Sequence, residues 1–541
     1  MAATMKTHHW ITRRISPFVL GLPLCISAVA QRPVDLIQTD NIKAEMFFLS
    51  ADEMAGRKTA SHEARIAANY IASEFLRFGL RPMGDNGTYF QNFDLVTAWP
   101  DKQNLALIAR QSGGEKTYQL DHDFDFSDLL ESDNPATATG PLVFLGYGIN
   151  APEYGYNDFA GTDLRGVDLH GKIALVLTHE PQESDPNSRF KGRWNTIHAY
   201  DVYKYEQIRK AGAAGLLIVR ESAPHRPPDN PSAPHDWSMP TALIALAGSK
   251  WDLPIFGITE ATADDLLANS AKTVATLQKT IDQSFKPQSF LVPGVEVTMK
   301  KALKDREVVR ARNVIALLEG SDPKLKDEYV VISGHYDHMG VVEGRTYRGA
   351  DDNASGTIGV LESARAYTEG KVRPRRSILF VAFDAEEAAM LGSAYFTENP
   401  VLSLDKAVAD LNMDMIGRDE DTPTWKLTPD QTKNSVNLVG TLYNPDLRRI
   451  IERNNQVIGL QLDFKTDTTD SEEWFDRSDH IMFAIKSVPM VLFNTGEHRD
   501  YHTENDTWDK INYSKLEKII RLVFLSSVDV ANSETRPRFT P

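Results

Sequence analysis

Five short stretches of this chain place metal-ligating side chains just beyond apolar runs. After Val330-Val331-Ile332 comes Ser333-Gly334-His335-Tyr336-Asp337, and after Ile378–Phe383 comes Asp384-Ala385-Glu386-Glu387. The run Ala407–Met413 ends on Asp414, and Val491-Leu492-Phe493 leads into a loop carrying Tyr501-His502-Thr503. Between the first two lies Gly349-Ala350-Asp351-Asp352-Asn353-Ala354-Ser355-Gly356, which enters a helix. Imidazole and carboxylate groups are the donors that hold catalytic divalent ions. Taken singly, each stretch has a plainer account. His-x-Asp is commonly a hydrogen-bonded pair, Asp-Asp-Asn before a helix commonly caps it, and Glu-Glu is commonly solvated. Asp414 stands apart, because an unpartnered carboxylate between Met413 and Met415 in an apolar strand is costly. Together the five stretches can meet at one place, as a metal site requires.

That meeting depends on the elements. From about residue 288 onward apolar strands alternate with helices: strands at Val314–Leu318, Tyr329–Ser333, Ile378–Phe383, Ala407–Met413 and Pro489–Asn494, helices at Ile358–Tyr367, Leu447–Ile458 and Ile511–Val530. Such alternation predicts an α/β fold with a largely parallel central sheet. In open sheets of this kind ligands bind beyond the carboxyl ends of the strands, which is where the five stretches fall. Upstream, Asn41–Leu80 reads as helical, with strands at Tyr89–Val96 and Leu105–Ala109. From 137 to 278 the texture changes: strands at Leu142–Leu145, Ile173–Leu177 and Ala214–Val219, a helix at Tyr203–Ala211, and a loop from Ala223 to Pro240 with six prolines. This block reads as a module inserted in the larger domain.

The chain has 541 residues and a formal net charge of −16, which argues against nucleic acid or an anionic membrane as partner. Lys6, Arg13 and Arg14 precede an apolar stretch, Ile15–Ala30, that closes on Ala28-Val29-Ala30. This pattern predicts a secretory signal over 1–30, hence a secreted or periplasmic protein; the stretch is shorter than the roughly 20 residues of a membrane span. The sole cysteine, Cys25, lies inside it, so thiol and disulfide chemistry are not expected of the mature chain.

The five stretches, in their order, resemble those of the family 28 metallopeptidases, the di-zinc aminopeptidases and their glutamate-carboxypeptidase relatives. The carrying motifs are Gly334-His335-Tyr336-Asp337-His338, Gly349–Gly356, Ala385-Glu386-Glu387, Asn412–Arg418 and His502-Thr503-Glu504-Asn505-Asp506. The inserted block resembles a protease-associated (PA) domain. The resemblance implies a three-layer αβα zinc-exopeptidase fold with a mostly parallel sheet and a smaller β-rich insert. The domains would then be a signal over 1–30, peptidase segments over 31–136 and 279–541, and the insert over 137–278. It further implies two zinc ions, one held by His335 and Asp414, the other by Glu387 and His502, with Asp352 bridging. Glu386 is the implied general base toward a metal-activated water. Asp337 is expected to accept a hydrogen bond from the His335 imidazole, and Asp351 to cap the following helix. His338 is a candidate substrate contact, although more often such a residue is structural. Ser478-Asp479-His480 resembles a stretch lining the site, without a direct catalytic role for His480. Arg348 and Arg418 read as structural ion pairs rather than substrate anchors. The expected substrate is a peptide or small protein, cut near a chain end by an aminopeptidase, with a carboxypeptidase as second choice. A receptor-like relative without activity, or hydrolysis of a non-peptide amide, are the further alternatives.

Overall fold

The computed structural model describes residues 1, 32–126, 136–160, 168–183, 185–192, 195–220, 243–248, 253–420, 428–465, 467 and 474–541. The signal expected over 1–30 and the proline-rich loop lie outside these, apart from Met1. The described residues form two large mixed sheets, one of 10 strands and one of 8. The heart of the larger sheet is four neighbouring parallel strands, Ser377–Phe383, Tyr329–His335, Ala407–Met413 and Met490–Asn494, in that spatial order. Every residue of these strands is buried, as expected where both faces of a parallel sheet are covered.

Strand periodicity separates the two faces. Val330, Ile332, Ile378, Phe380, Leu411 and Met413 pack toward helices Thr39–Leu49, His62–Arg77, Gly356–Glu369, Pro445–Ile458 and Tyr513–Asn532. Val331, Leu379, Val381, Phe383 and Leu492 pack the other way, against Leu391–Glu398 and His480–Ile485. The result is an α/β structure with helices on both sides of its sheet. The parallel centre is bounded by antiparallel pairings: Leu303–Leu318 runs against Ser377–Phe383 on one side, and Ser435–Val439 against Met490–Asn494 on the other.

The helical reading of 41–80 resolves into two helices, Thr39–Leu49 and His62–Arg77. The break between them holds Ala55, Arg57 and Ala60 at φ of 41, 45 and 58°. This is left-handed backbone that periodicity alone does not reveal. The second sheet draws strands from beyond 137–278: Ala106–Gln111, Gly114–Tyr118, Phe124–Phe126 and Phe290–Lys301 all belong to it. The chain leaves and re-enters the larger sheet on cross-strand partners, Pro100 opposite Leu303. One strand from the intervening segment, Leu243–Leu246, pairs back onto the larger sheet along Phe90–Pro100. Among the described residues no helix is long and apolar enough to cross a membrane.

Candidate metal centre

The four parallel strands deliver their carboxyl ends to one edge. His335 closes its strand, Glu386 and Glu387 follow Phe383, Asp414 follows Met413, and the loop after Asn494 brings in His502. Three residues in these segments adopt left-handed backbone outside glycine, Ala385, Met415 and His502, at φ of 62, 53 and 51°. Each costs on the order of 1 kcal/mol or more, and such residues cluster where a chain must turn sharply to aim a functional group. Gly349, at φ 57°, opens the Asp352 segment; a Cβ there would stand 2.1 Å from the Asp352 carbonyl and 2.6 Å from the His338 ring.

The side chains form two groups. In one, His335 Nε2 lies 3.4 Å from Asp414 Oδ1 and 3.4 Å from Asp352 Oδ1. In the other, His502 Nε2 lies 3.0 Å from Asp352 Oδ2 and 3.4 Å from Glu387 Oε2. Asp352 thus turns one oxygen to each group. Two donors about 2.0–2.1 Å from one zinc at a tetrahedral angle stand about 3.3–3.4 Å apart. Three of the four separations match that spacing and the fourth is slightly shorter. Glu386 Oε2 is farther out, 3.7 Å from His335 Nε2. The donor set of imidazole nitrogens and carboxylates suits zinc.

Charge points the same way. Asp352, Glu386, Glu387 and Asp414 crowd a largely buried site, with Asp337, Asp351, Asp384, Asp479 and Asp506 buried beneath it. Burial, reinforced by Asp414 and Glu387 and opposed by His335, holds the Glu386 carboxyl well above the carboxylate range. Burial lowers both imidazoles, but the surrounding carboxylates outweigh it. Asp414 and Glu386 hold His335 well above its ordinary value, and Glu387 and Asp352 do so for His502. Such a cluster is stable only if cations or protons offset it.

Outer residues hold these donor side chains in place. Ser478 Oγ donates to Asp414 Oδ2 at 2.7 Å, leaving Oδ1 toward His335. Asp506 accepts from the backbone N–H groups of Asp351 and Asp352 at 2.9–3.1 Å. Asp337 plays a different part from the one expected. The His335 Nδ1 partner within hydrogen-bond reach is the Asp337 carbonyl at 3.2 Å, while the carboxylate lies 3.6 Å away. That carboxylate instead accepts from Thr59 Oγ1 at 2.5 Å and from the Glu386 backbone N–H at 3.2 Å. Asp351 does not cap the helix; Asn353 Oδ1 accepts from Gly356 N at 2.7 Å, and Asp351 accepts from Gly417 N at 2.6 Å.

Arg348 pairs with Asp52 and Arg418 with Asp500, as structural ion pairs. His480 is fully buried against Phe475, away from both groups. Sequence reading overlooked Arg57, which is fully buried and donates to the carbonyls of Leu49, Tyr336, Arg348 and Gly349 at 2.5–2.8 Å. It stitches the loop after His335 to the loop before Asp352. An arginine in a break between helices carries no local pattern that announces this role.

Residues 313–526 match the family model described as peptidase family M28, and residues 138–266 match that of the PA domain. The chain therefore carries a family M28 peptidase domain with a PA domain inserted ahead of its ligand-bearing part. Among curated proteins it is similar to a glutamate carboxypeptidase 2 homolog of Caenorhabditis briggsae, 25% identical over 438 residues, covering 71% of this chain and 52% of that protein. It is also similar to aminopeptidase YwaD of Bacillus subtilis, 24% identical over 365 residues, covering 66% of each. The chain thus spans about half to two thirds of the length of these relatives. Among solved structures it aligns with an aminopeptidase from Aneurinibacillus sp. strain AM-1 at 21% identity and a TM-score of 0.44, covering 94% of this chain and 97% of that one.

Proposed function

We propose that this protein is an exported di-zinc exopeptidase that removes residues from the N-terminus of peptides. The observation that carries this reading is the pair of donor groups at zinc spacing, joined through the two oxygens of Asp352. His335 and Asp414 would hold one ion, Glu387 and His502 the other, with Asp352 shared. The ions would supply Lewis-acid polarisation of the scissile carbonyl and a lowered pKa for the attacking water.

The chain's own residues do the rest. Glu386 stands outside the donor spacing but lines the same pocket. Its backbone is anchored on Asp337, so its carboxylate is aimed without binding an ion. It takes a proton from the attacking water and passes it to the leaving amine, so that one water and one peptide bond become a carboxylate and an amine.

The pocket is lined by Asp352, Glu386, Asp414 and His502 together with Met415, Leu492 and Tyr501. An acidic wall of this kind suits a substrate's α-ammonium group. Arg477 also lines the pocket, where it is in ion pair with Glu497 at 3.0 Å. That residue favours a carboxypeptidase as the second reading, because a substrate carboxylate would need such a cation. A panel of aminoacyl and peptidyl-carboxyl chromogenic substrates separates the two. Turnover of the aminoacyl set alone is expected, and turnover of the carboxyl set alone would overturn the choice. Export rests on the basic and apolar segment at 1–30.

A further inference from the structure

His338 lies among the donors of the Glu387/His502 group, yet its distances set it apart from a ligand. Its Nδ1 is 2.7 Å from Glu387 Oε1 and 3.6 Å from Asp352 Oδ2. Two donors on one zinc stand about 3.3–3.4 Å apart. A separation of 2.7 Å is instead that of a charge-assisted hydrogen bond. The two oxygens of Glu387 are therefore divided, Oε1 to His338 and Oε2 to His502 at 3.4 Å.

The imidazole is fixed from several sides. Its backbone N–H donates to the Arg57 carbonyl at 3.0 Å. Its ring lies against Gly349, where any larger residue would collide with it. It meets the His502 ring edge-on with centroids 5.8 Å apart. The residue is 1% exposed, so substrate has no access to it.

We infer that His338 is a positioning residue that donates Nδ1–H to Glu387 Oε1 and so restricts Glu387 to one ligand oxygen on the ion it shares with His502. The inference rests on the di-zinc reading above. Without this donor, Glu387 is free to swing or to offer both oxygens to the ion. Partners in this outer position typically contribute 10–100-fold to metal affinity. The loss should fall on one ion of the two, because His338 touches no donor of the His335/Asp414 pair.

The test is a competition titration of the full chain with zinc and a chromophoric chelator. It compares wild type with His338→Ala, His338→Leu and His338→Asn. Wild type is expected to hold two ions. The Ala and Leu variants should hold one as tightly as wild type and the second about 10–100-fold more weakly. Asn places an amide N–H near the position of Nδ1 and should restore most of the second affinity. Leu keeps the volume if Ala proves too disruptive to fold. Two tight ions in either non-donor variant would overturn the inference, as would an Asn variant no better than Leu. Wild type that binds no zinc would instead sink the di-zinc reading itself.

Discussion

At the scale of single residues the proposed site divides into groups that would touch metal and groups that aim them. Asp352 shows the first kind, with one oxygen to each imidazole. Ser478, Asp506, Thr59 and Arg57 show the second, each satisfying a buried polar atom that would otherwise be free to turn. Glu386 belongs to neither, and in the proposed reading it is the base. Glu386→Gln keeps the shape and removes the proton acceptor. Turnover should fall by about 10²–10⁴-fold, the usual contribution of a general base. Zinc content measured on the same sample should not change. A variant turning over at the wild-type rate would exclude Glu386 from proton transfer.

At the scale of elements, much was legible in the sequence. The four central strands were found within two residues at either end, because a buried parallel strand is a short apolar run bounded by turn residues. The edge that carries the site followed from those strands. Other features were not legible. Ser435–Val439 is a five-residue strand that joins the central strands by antiparallel pairing with Met490–Asn494, more than fifty residues away. The break between the first two helices depends on left-handed residues that tertiary contacts hold in place. The reach of the second sheet was also hidden, since Ala106–Gln111 pairs with Phe290–Lys301 far along the chain. Because Pro100 and Leu303 are cross-strand partners, a clean excision removes 101–302 and joins the ends by a two-residue Asn-Gly turn. That variant also bares the Phe90–Pro100 edge that Leu243–Leu246 covers, but it should remain the more soluble deletion and bind zinc at the wild-type stoichiometry. Removing 137–278 instead leaves Phe124–Phe126 without its partner strand and bares one edge of Phe290–Lys301, and size-exclusion chromatography should show it aggregating. The opposite ranking would place the module boundary elsewhere.

The insert also carries a pH-sensitive group. Asp158 is fully buried and accepts from the backbone N–H groups of Tyr147 and Ile149 and from Tyr156 Oη. Burial pushes its carboxyl up to about 7. Its folded value lies above the unfolded one of about 3.9, so the folded protein keeps a proton that the unfolded chain releases. The stability this contributes is fully present below about pH 4 and is lost as pH rises toward 7. Asp158→Asn cannot titrate. Its melting temperature should therefore fall less than that of wild type between pH 4 and 7. Parallel curves for the two proteins would show that Asp158 is ionised in the folded state throughout.

At the scale of the whole molecule, the two sheets meet through named contacts. Tyr443 Oη donates to the Asn195 carbonyl at 2.6 Å, and Lys486 bridges Glu206 of the insert to Glu398 of the peptidase domain. These contacts set the insert beside the peptidase domain without supplying a donor to either metal group. In the proposed reading the buried carboxylates at the site would make metal the organising element of the peptidase domain, since ligation offsets charge that burial alone would leave costly. Zinc measured by mass spectrometry on purified, buffer-exchanged protein tests this most directly, with Asp352→Asn beside wild type. The account predicts close to two ions per wild-type chain, a marked loss of both in the variant, and hydrolysis abolished by a chelator. Wild type without zinc that still hydrolyses peptides in chelator, or an Asp352→Asn variant that keeps both ions, would contradict it.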